Sequence, residues 1–237
     1  MGQTTNNKNN LTESLFLLTS VVEQIKLPIL QIQKMLDLGI EEDLSTAKSI
    51  ADYTLRLLDN YAMSLKLNSQ MLKLDSEPVS VAAVLYDSGQ SLDDLAKQYG
   101  VKLEINVTGR YEPVFVHRQA LQAAIVSLGG ALIECQGSLA QSKMVLKLAS
   151  HRCRYGIVAG VYSEELNTSS AILRQGRGLY GRARQPLTAI SNTAGAGIFV
   201  ADSLLKAMNL DLKASRHHNL KGLGAVLRPS SQLLLVG

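Results

Sequence analysis

The chain has 237 residues, 46% of them hydrophobic, and this content is high enough to exclude a disordered protein. No run of 18 apolar residues occurs, so the sequence predicts no transmembrane helix and no membrane partner. The formal net charge is +4, but residues 171–237 hold nine Lys or Arg against two Asp or Glu. A basic segment of this kind attracts phosphates, nucleic acid or an acidic protein. Cys135 and Cys153 lack CxxC spacing, so we expect reduced thiols in a cytoplasmic protein and no metal site.

The N-terminal part of the chain predicts a helix with an apolar seam. Residues 1–10 are polar and rich in Asn, and we expect them to be disordered. An apolar heptad then begins at Leu11 and continues through Leu15, Leu18, Val22, Ile25, Ile29, Ile32 and Leu36. A seam of this length needs a partner helix. Pro28 lies within the heptad, removes one helical hydrogen bond and is expected to kink the helix.

A second helix is predicted to begin at Glu41, because acidic residues at its start suit the positive end of a helix. Its apolar stripe comprises Leu44, Ala51, Leu55, Leu58, Ala62 and Leu65. The connection at Gly39 is short, which predicts an antiparallel helical hairpin over residues 11–67. One hairpin leaves half of its apolar surface exposed. The sequence therefore favours a homodimer in which two hairpins form a four-helix bundle.

After a linker at residues 68–78, the segment 79–237 predicts a second domain of mixed structure. Its predicted elements are helix 81–99, strands 101–107 and 113–116, helix 117–134, strands 144–149 and 155–161, a long loop at 163–192, helix 197–208, and strands 224–227 and 232–236. Helices that alternate with pairs of strands favour an α/β sandwich with a mixed sheet and helices on one face. The predicted fold class of the whole chain is therefore α+β.

This order of elements resembles the cytoplasmic core of a sensor histidine kinase, with its dimerisation hairpin and ATPase-like domain. The resemblance covers almost the whole chain from residue 15 onward. In that family the first helix carries a phospho-acceptor His and then an acidic residue, with a Pro five residues after the His. Pro28 matches this Pro, which places Glu23 at the phospho-acceptor position and Gln24 at the acidic position. No His occurs before position 117, so the resemblance implies a core without its phospho-acceptor.

The resemblance also implies a magnesium site that this sequence does not supply. The helix of the family that carries the magnesium-orienting Asn residues matches residues 117–131. Val126 and Gly130 stand at the two Asn positions, and neither offers the oxygen ligand that a hard cation prefers.

The adenine-binding motif of the family, Asp-x-Gly-x-Gly, falls at Gly160. Tyr162 and Glu164 stand where its glycines belong, so the Asp that contacts the adenine amino group is missing by this alignment. Glu164 or Glu165 remains as a substitute acceptor.

Two glycine segments keep more of the family pattern. Gly195 and Gly197 resemble the hinge of the nucleotide lid and the phosphate-facing start of the next helix. Gly222 and Gly224 resemble the Gly-x-Gly turn before the last pair of strands. Glycine lets backbone N–H groups approach an anion, but it also serves the fold in tight turns. Both interpretations of these nucleotide-binding remnants stay open.

The basic loop, residues 163–192, stands in the place of the nucleotide lid. Its candidate contacts for a nucleotide, a nucleic acid or an acidic partner are Arg174, Arg177, Arg182 and Arg184. The alternative is a solvated basic loop. The GxGxxG sequence at 176–181 has no strand before it, so we interpret it as a chance match. His217 and His218 have no carboxylate or nucleophile beside them and are interpreted as a surface turn.

Together these features favour a non-catalytic, dimeric docking or regulatory protein related to two-component signalling, without a bound cofactor. A response-regulator-like or other acidic protein is expected to bind beside Pro28 or at the basic loop. One alternative is a divergent phosphotransfer enzyme that holds ATP and magnesium through the remaining glycines and arginines. The other is a protein that binds nucleic acid through its basic C-terminal third.

Overall fold

The structure, a computed structural model, describes residues 41–68, 73–137, 144–164 and 194–230. The heptad seam, Glu23, the four loop arginines and the predicted strand 232–236 lie outside these ranges. The helices are α1 (Glu41–Asn68), α2 (Val81–Gln98), α3 (Arg118–Gly137) and α4 (Ala194–Ala207). The strands are β1 (Glu77–Val79), β2 (Lys102–Val107), β3 (Val114–Val116), β4 (Val145–Cys153), β5 (Gly156–Ser163), β6 (Leu212–His217) and β7 (Leu220–Leu227).

Five of the strands form one mixed sheet in the order β2-β4-β5-β7-β6. β2 and β4 are parallel, whereas the other neighbouring pairs are antiparallel. β1 pairs with β3 in a separate antiparallel sheet of two strands. Together with the helices, this arrangement confirms the predicted α+β class and the α/β sandwich with a mixed sheet.

The five-stranded sheet has two different faces, because side chains alternate along a strand. On β5, Ile157 and Val161 join the main hydrophobic core together with residues of all four helices. We call this side the inner face. Tyr162 lies on the opposite side, the outer face, where it forms a small separate cluster with Ala149 and Leu220.

Local sequence sets both ends of α2. The Ser80 hydroxyl accepts a hydrogen bond from the backbone N–H of Ala83 (3.3 Å) and caps the start of the helix. At the other end Gly100 has a φ of 64°, a left-handed conformation that glycine adopts without strain. The N–H of Val101 then donates to the Ala96 carbonyl oxygen (2.8 Å), so the helix stops where the sequence predicts.

α3 lies in the middle of the helical layer and is buried almost all round. A helix that is apolar on every side needs neighbours on every side. Between residues 120 and 134 nearly every side chain is buried. Gly129 lies close to Leu92 of α2 and Leu148 of β4, which allows α3 to approach the inner face of the sheet. α4 packs beside α3, and α1 covers a further side.

Three features differ from the sequence predictions. β1 begins at Glu77, inside the predicted linker. β6 forms over a segment where no strand is predicted. Only Leu212 and His217 of this polar edge strand are buried, so its sequence lacks the alternating apolar pattern of a strand. β7 begins at Leu220, before the predicted strand 224–227, so Gly222 lies inside the strand and not in a turn that precedes it. None of the helices within the described ranges is long and apolar enough to cross a membrane.

Candidate functional site

One side of α1 packs against α2, α3 and α4. Tyr53, Tyr61 and Leu67 are buried there and belong to the same hydrophobic core as the sheet. At 100° per residue these three positions fall on one side of the helix. The second helix of the predicted hairpin therefore shares its core with the sandwich.

Tyr53 of α1 lies directly on Gly130 of α3. A Cβ atom added at Gly130 would overlap the Tyr53 ring, so the two helices approach this closely because residue 130 has no side chain. Tyr53 is only 6% exposed. Its hydroxyl has no hydrogen-bond partner in the part of the chain that the structure describes.

Amide side chains fix the position of α1 along the layer. The Asn60 Nδ2 group donates to the Ala123 carbonyl oxygen (3.3 Å) and to the Ser127 hydroxyl (3.0 Å), both on α3. The Asn68 Nδ2 group donates to the Ser203 hydroxyl of α4 (2.9 Å). Hydrogen bonds are directional, so these contacts select one register of α1 where apolar packing alone tolerates several.

Burial, and then the charge of the Glu134 carboxylate, raise the pKa values of the ionisable groups around this contact. Burial, and then Glu134 and Tyr99, raise the pKa of Tyr53 well above its ordinary value. Burial followed by Glu134 raises the pKa of Tyr99 to about 12 and also raises the pKa of the Cys135 thiol. These phenols and this thiol therefore keep their protons at neutral pH. In the protonated form they are weak nucleophiles, so the cluster is suited to packing and not to covalent catalysis.

The two positions that match the magnesium-orienting asparagines lie in this contact. Val126 is 5% exposed and belongs to the main core, and Gly130 is covered by Tyr53. Between them, Ser127 receives the hydrogen bond from Asn60. Neither position offers a side-chain oxygen to magnesium, and the ring of Tyr53 fills the space above Gly130.

The glycines of the resemblance are not brought together. Gly197 lies in the first turns of α4, where a Cβ atom would meet the Ser127 carbonyl oxygen and come within 2.8 Å of the Ala131 side chain. Its smallness therefore serves the close packing of α4 on α3. Gly195 belongs to the same helix start.

Gly222 and Gly224 lie on the other side of the sheet. Both belong to β7 and lie beneath Tyr162 on the outer face. Gly160 occupies the facing position on β5, and Glu164 is exposed just beyond the end of that strand. The structure thus separates these positions from Gly197 by the thickness of the sheet.

The sequence interpretation of the two adjacent histidines holds for only one of them. His218 is exposed, with a φ of 52°, in the turn between β6 and β7. His217 is 1% exposed, and its Nδ1 atom lies 3.2 Å from Nδ1 of His151. The prediction of a surface turn is therefore wrong for His217. Its partner lies 66 positions earlier in the chain, beyond any local pattern.

The side of α1 that faces away from the sandwich carries the predicted apolar stripe. Leu55 is 59% exposed and Ala62 is exposed, while Ala51 and Leu58 are half-buried. These residues recur alternately four and three positions apart, the spacing of a helix-pairing seam. α1 therefore has two apolar sides, one packed on the sandwich and one largely open.

Across residues 41–68, 73–137, 144–164 and 194–230, no cluster of three or more His, Cys, Asp or Glu side chains is arranged to hold a metal ion.

No protein-family model matches this sequence, and no curated protein matches it. Among solved structures, the histidine kinase AdeS of Acinetobacter baumannii is similar with a TM-score of 0.51 and 14% identity. The similarity covers 86% of this chain and 96% of AdeS. Full-length ShkA, solved in complex with AMPPNP, gives a TM-score of 0.52 and 13% identity over 90% of this chain and 46% of its own.

Both likenesses concern the path of the backbone. At 14% and 13% identity these similarities show the fold alone. They give no information about the roles of individual side chains in this chain. The order of helices and strands, the mixed sheet and the helical layer on its inner face agree with them. The chain has the histidine kinase ATPase-like fold.

Proposed function

We propose that this chain is a non-catalytic, cytoplasmic docking protein, dimeric and related to two-component signalling. The observation that carries the proposal is the position of Tyr53 on Gly130. The chain's own α1 occupies the face of α3 on which the resemblance places the magnesium-orienting side chains. A phosphotransfer enzyme of this fold needs that face for its nucleotide.

The residue types at these positions also support a non-catalytic function. Val126 and Gly130 offer no ligand oxygen, and the sequence places Glu23 where a nucleophilic imidazole is expected. The Tyr and Cys side chains around Glu134 keep their protons at neutral pH. Neither the resemblance nor the α1–α3 contact supplies an activated nucleophile.

The two apolar sides of α1 support the proposed dimer. Leu55 and Ala62 remain exposed although the opposite side of the same helix is packed. The seam from Leu15 to Leu36 has the complementary heptad spacing. Pairing of two such hairpins in a four-helix bundle would remove both apolar surfaces from water.

An acidic, response-regulator-like protein is the partner that the charge favours. The C-terminal third of the chain has nine Lys or Arg and two Asp or Glu. Complementary charge accelerates encounter and selects partners of opposite sign. The proposed docking surface is the bundle beside Pro28, with the basic loop as the second contact.

Nucleotide binding tests the non-catalytic part of the proposal. Thermal unfolding of the full chain is followed with increasing ATP and magnesium, and incubation with radiolabelled ATP tests for phosphoprotein. We expect no change in Tm and no stable label. A Tm that rises with ATP concentration would show binding to the folded state and would favour the divergent enzyme. Label that is lost in Glu23→Gln would contradict the proposal directly.

Docking is tested with purified receiver domains of response regulators from the source organism. Binding is measured by calorimetry for the wild type and for a variant in which all four loop arginines, Arg174, Arg177, Arg182 and Arg184, are replaced by Ser. Saturable binding that the variant weakens would place the contact at the basic loop. Binding that the variant leaves unchanged would place it on the bundle. Absence of binding to every receiver domain, together with salt-dependent binding to duplex DNA, would favour the nucleic-acid alternative.

A further inference from the structure

His151 and His217 are joined across strands that are not neighbours. His151 belongs to β4 and His217 ends β6, while β5 and β7 lie between these strands in the sheet. Their Nδ1 atoms are nevertheless 3.2 Å apart. In a flat sheet, strands three places apart are separated by about 14 Å, so the outer face must curve strongly inward here.

Three glycines account for this curvature. Gly160 of β5 and Gly222 and Gly224 of β7 lie on the outer face, where a side chain would obstruct the bend. A Cβ atom at Gly224 would lie 2.9 Å from the Ala159 carbonyl oxygen and 3.0 Å from the Tyr162 hydroxyl. At Gly160 or Gly222 it would overlap the backbone of the neighbouring strand. Side chains at these positions would therefore push β5 and β7 apart.

The two imidazoles close over Tyr162. This side chain is fully buried, although it lies on the face opposite the helices. Its ring centroid lies 6.2 Å from that of His151 and 5.4 Å from that of His217. The Tyr162 hydroxyl is 3.2 Å from the Ser215 hydroxyl of β6. The pair of histidines therefore covers the one large aromatic side chain of the small outer cluster.

Hydrogen-bond chemistry limits how many protons the pair can hold. Two facing Nδ1 atoms form a hydrogen bond only when one carries a proton and the other offers its lone pair. Nε2 of His217 is buried and has no hydrogen-bond partner among the described residues. A buried N–H without an acceptor is rarer than a buried lone pair without a donor. We therefore assign the proton to Nδ1 of His217, which donates to Nδ1 of His151.

In the neutral pair each imidazole carries one proton, on Nδ1 of His217 and on Nε2 of His151, and a second proton on either ring has no satisfactory place. On Nδ1 of His151 it would set two N–H groups against each other. On Nε2 of His217 it would bury a charged donor without an acceptor in the described surroundings. The first location breaks the Nδ1–Nδ1 hydrogen bond. The second leaves that bond in place but favours a state in which the charged ring of His217 reaches water.

The charged groups around the pair disfavour a second proton as well. His218 faces it from the β6–β7 turn and Lys147 from β4, while Tyr162 of β5 is neutral. The Lys147 ammonium is paired with Glu104 of β2 at 3.1 Å, so that carboxylate is already engaged. Burial, and then the charges of His218, His151 and Lys147, lower the pKa of His217 to about 4. Burial and His218 also lower the pKa of His151.

We propose that His151 and His217 form an acid-sensitive clasp, in which the Nδ1 proton of His217 holds the end of β6 against β4 and uptake of a second proton by either imidazole releases it. The clasp lies on the outer face, on the opposite side of the sheet from the α1 contact. Its release would free the β6–β7 turn and uncover Tyr162. The proposal does not depend on whether the chain binds a nucleotide or a partner.

The direction of the pH effect follows from the lowered pKa values. An unfolded chain binds protons at His with an ordinary pKa of about 6.5, whereas the folded clasp resists protonation until lower pH. The stabilisation is therefore fully present above about pH 6.5 and is lost as the pH falls toward the folded pKa of His217, about 4.

The matched variants are His151→Asn and His117→Asn. An Asn at 151 offers an amide oxygen near the position of Nδ1, so it can accept the proton of His217 without titrating. His117 lies at the start of α3, where its Nδ1 accepts from the N–H of Ala120 (3.1 Å), and Asn also caps helices well. The control therefore removes one imidazole that does not touch the clasp.

Urea unfolding of the full chain is measured from pH 7.5 to 4.5, with amide hydrogen exchange along β6. We expect the wild type to lose stability below pH 6.5 and β6 to lose protection before β4. His151→Asn should reduce the number of protons taken up on unfolding by about one. The unfolding constant of this variant should therefore change about tenfold less per pH unit than that of the wild type. His117→Asn should leave the hydrogen-exchange protection of β6 as it is in the wild type. Equal pH dependence in His151→Asn and the wild type would overturn the proposal.

Imidazole ¹⁵N NMR of the wild type gives a test that needs no variant. We expect a neutral pair at pH 7, with the proton on Nδ1 of His217, and protonation that coincides with loss of β6 protection. If both imidazoles titrate near pH 6.5 while the amides of β6 stay protected from exchange, the clasp proposal is also overturned.

Discussion

Tyr53 and Gly130 form a complementary pair: the ring of one occupies the space that the missing side chain of the other leaves open. The pair joins the helix that begins the described chain to the helix at the centre of the sandwich. Glycine in the middle of a helix lowers its stability by roughly 0.5–1 kcal/mol relative to alanine. Its presence in α3 is explained by this contact and not by the local preference of the helix.

A methyl group at Gly130 should therefore be costly only while Tyr53 is present. We expect Gly130→Ala to lower the free energy of unfolding by about 1–3 kcal/mol, as overpacking does in close-packed cores. In the Tyr53→Ala background the same change should cost much less, because the ring is gone and alanine favours the helix. Urea unfolding of the four proteins gives the coupling energy. Equal cost in both backgrounds would show that Tyr53 does not lie on Gly130.

The amide of Asn60 provides a second test of the position of α1. Asn60→Leu removes donors to Ala123 and Ser127, and we expect a loss of about 1–2 kcal/mol in the free energy of unfolding. Asp59→Leu alters an exposed neighbour on the same helix and is the control. If both variants lose the same stability, the Asn60 contacts contribute nothing specific.

The open side of α1 should govern assembly. Leu55→Glu places a charge in the proposed seam, and we expect sedimentation to show a dimer for the wild type at micromolar concentration and a marked shift to monomer for the variant. Tyr86→Glu changes another large exposed side chain, 56% accessible and located on α2, and should leave the dimer intact. A wild-type chain that sediments as a monomer would contradict the bundle.

Tyr162 should make the fold sensitive to alkali. Burial raises its pKa to about 12, against the opposing effect of its hydrogen bond to Ser215. The unfolded chain releases this proton near pH 10, so the stabilisation is present below pH 10 and is lost as the pH rises toward about 12. Between these pH values, Tyr162→Phe should reduce the number of protons released on unfolding by up to about one, so its free energy of unfolding should fall less steeply with pH. Tyr155→Phe changes an exposed ring and is the control, so equal slopes would contradict the prediction.

The sequence predicts well those elements that have capping residues at their ends and a single buried side. α2 has a capping Ser80, a terminal Gly100 and one buried stripe, and its limits follow from them. β7 is different, because Gly222 and Gly224 have the composition of a turn. They are accommodated within a strand because Tyr162 supplies the missing packing from β5. That compensation is a tertiary contact, which a local pattern does not contain.

The candidate site was harder to predict for the same reason. Val126 and Gly130 are identified from the sequence as unable to bind magnesium, and the structure adds that Tyr53 covers the latter. Nothing local marks Tyr53 as a contact of Gly130, since 77 positions separate them. The polar Asn60 lies on the same side of α1 as Tyr53, and no sequence pattern pairs it with Ser127. His151 and His217 form a pair only through the curvature of the outer face.

The hydrogen bond from Asn68 to Ser203 spans 135 positions of the chain. During synthesis α1 leaves the ribosome long before α4 exists, so its inward side, with Tyr53, Tyr61 and Leu67, has no complete place to pack. Contacts between residues so distant in sequence slow folding and prolong the exposure of apolar surface. The apolar inward side of α1 therefore cannot complete its packing on the nascent chain until the last helix of the sandwich has emerged.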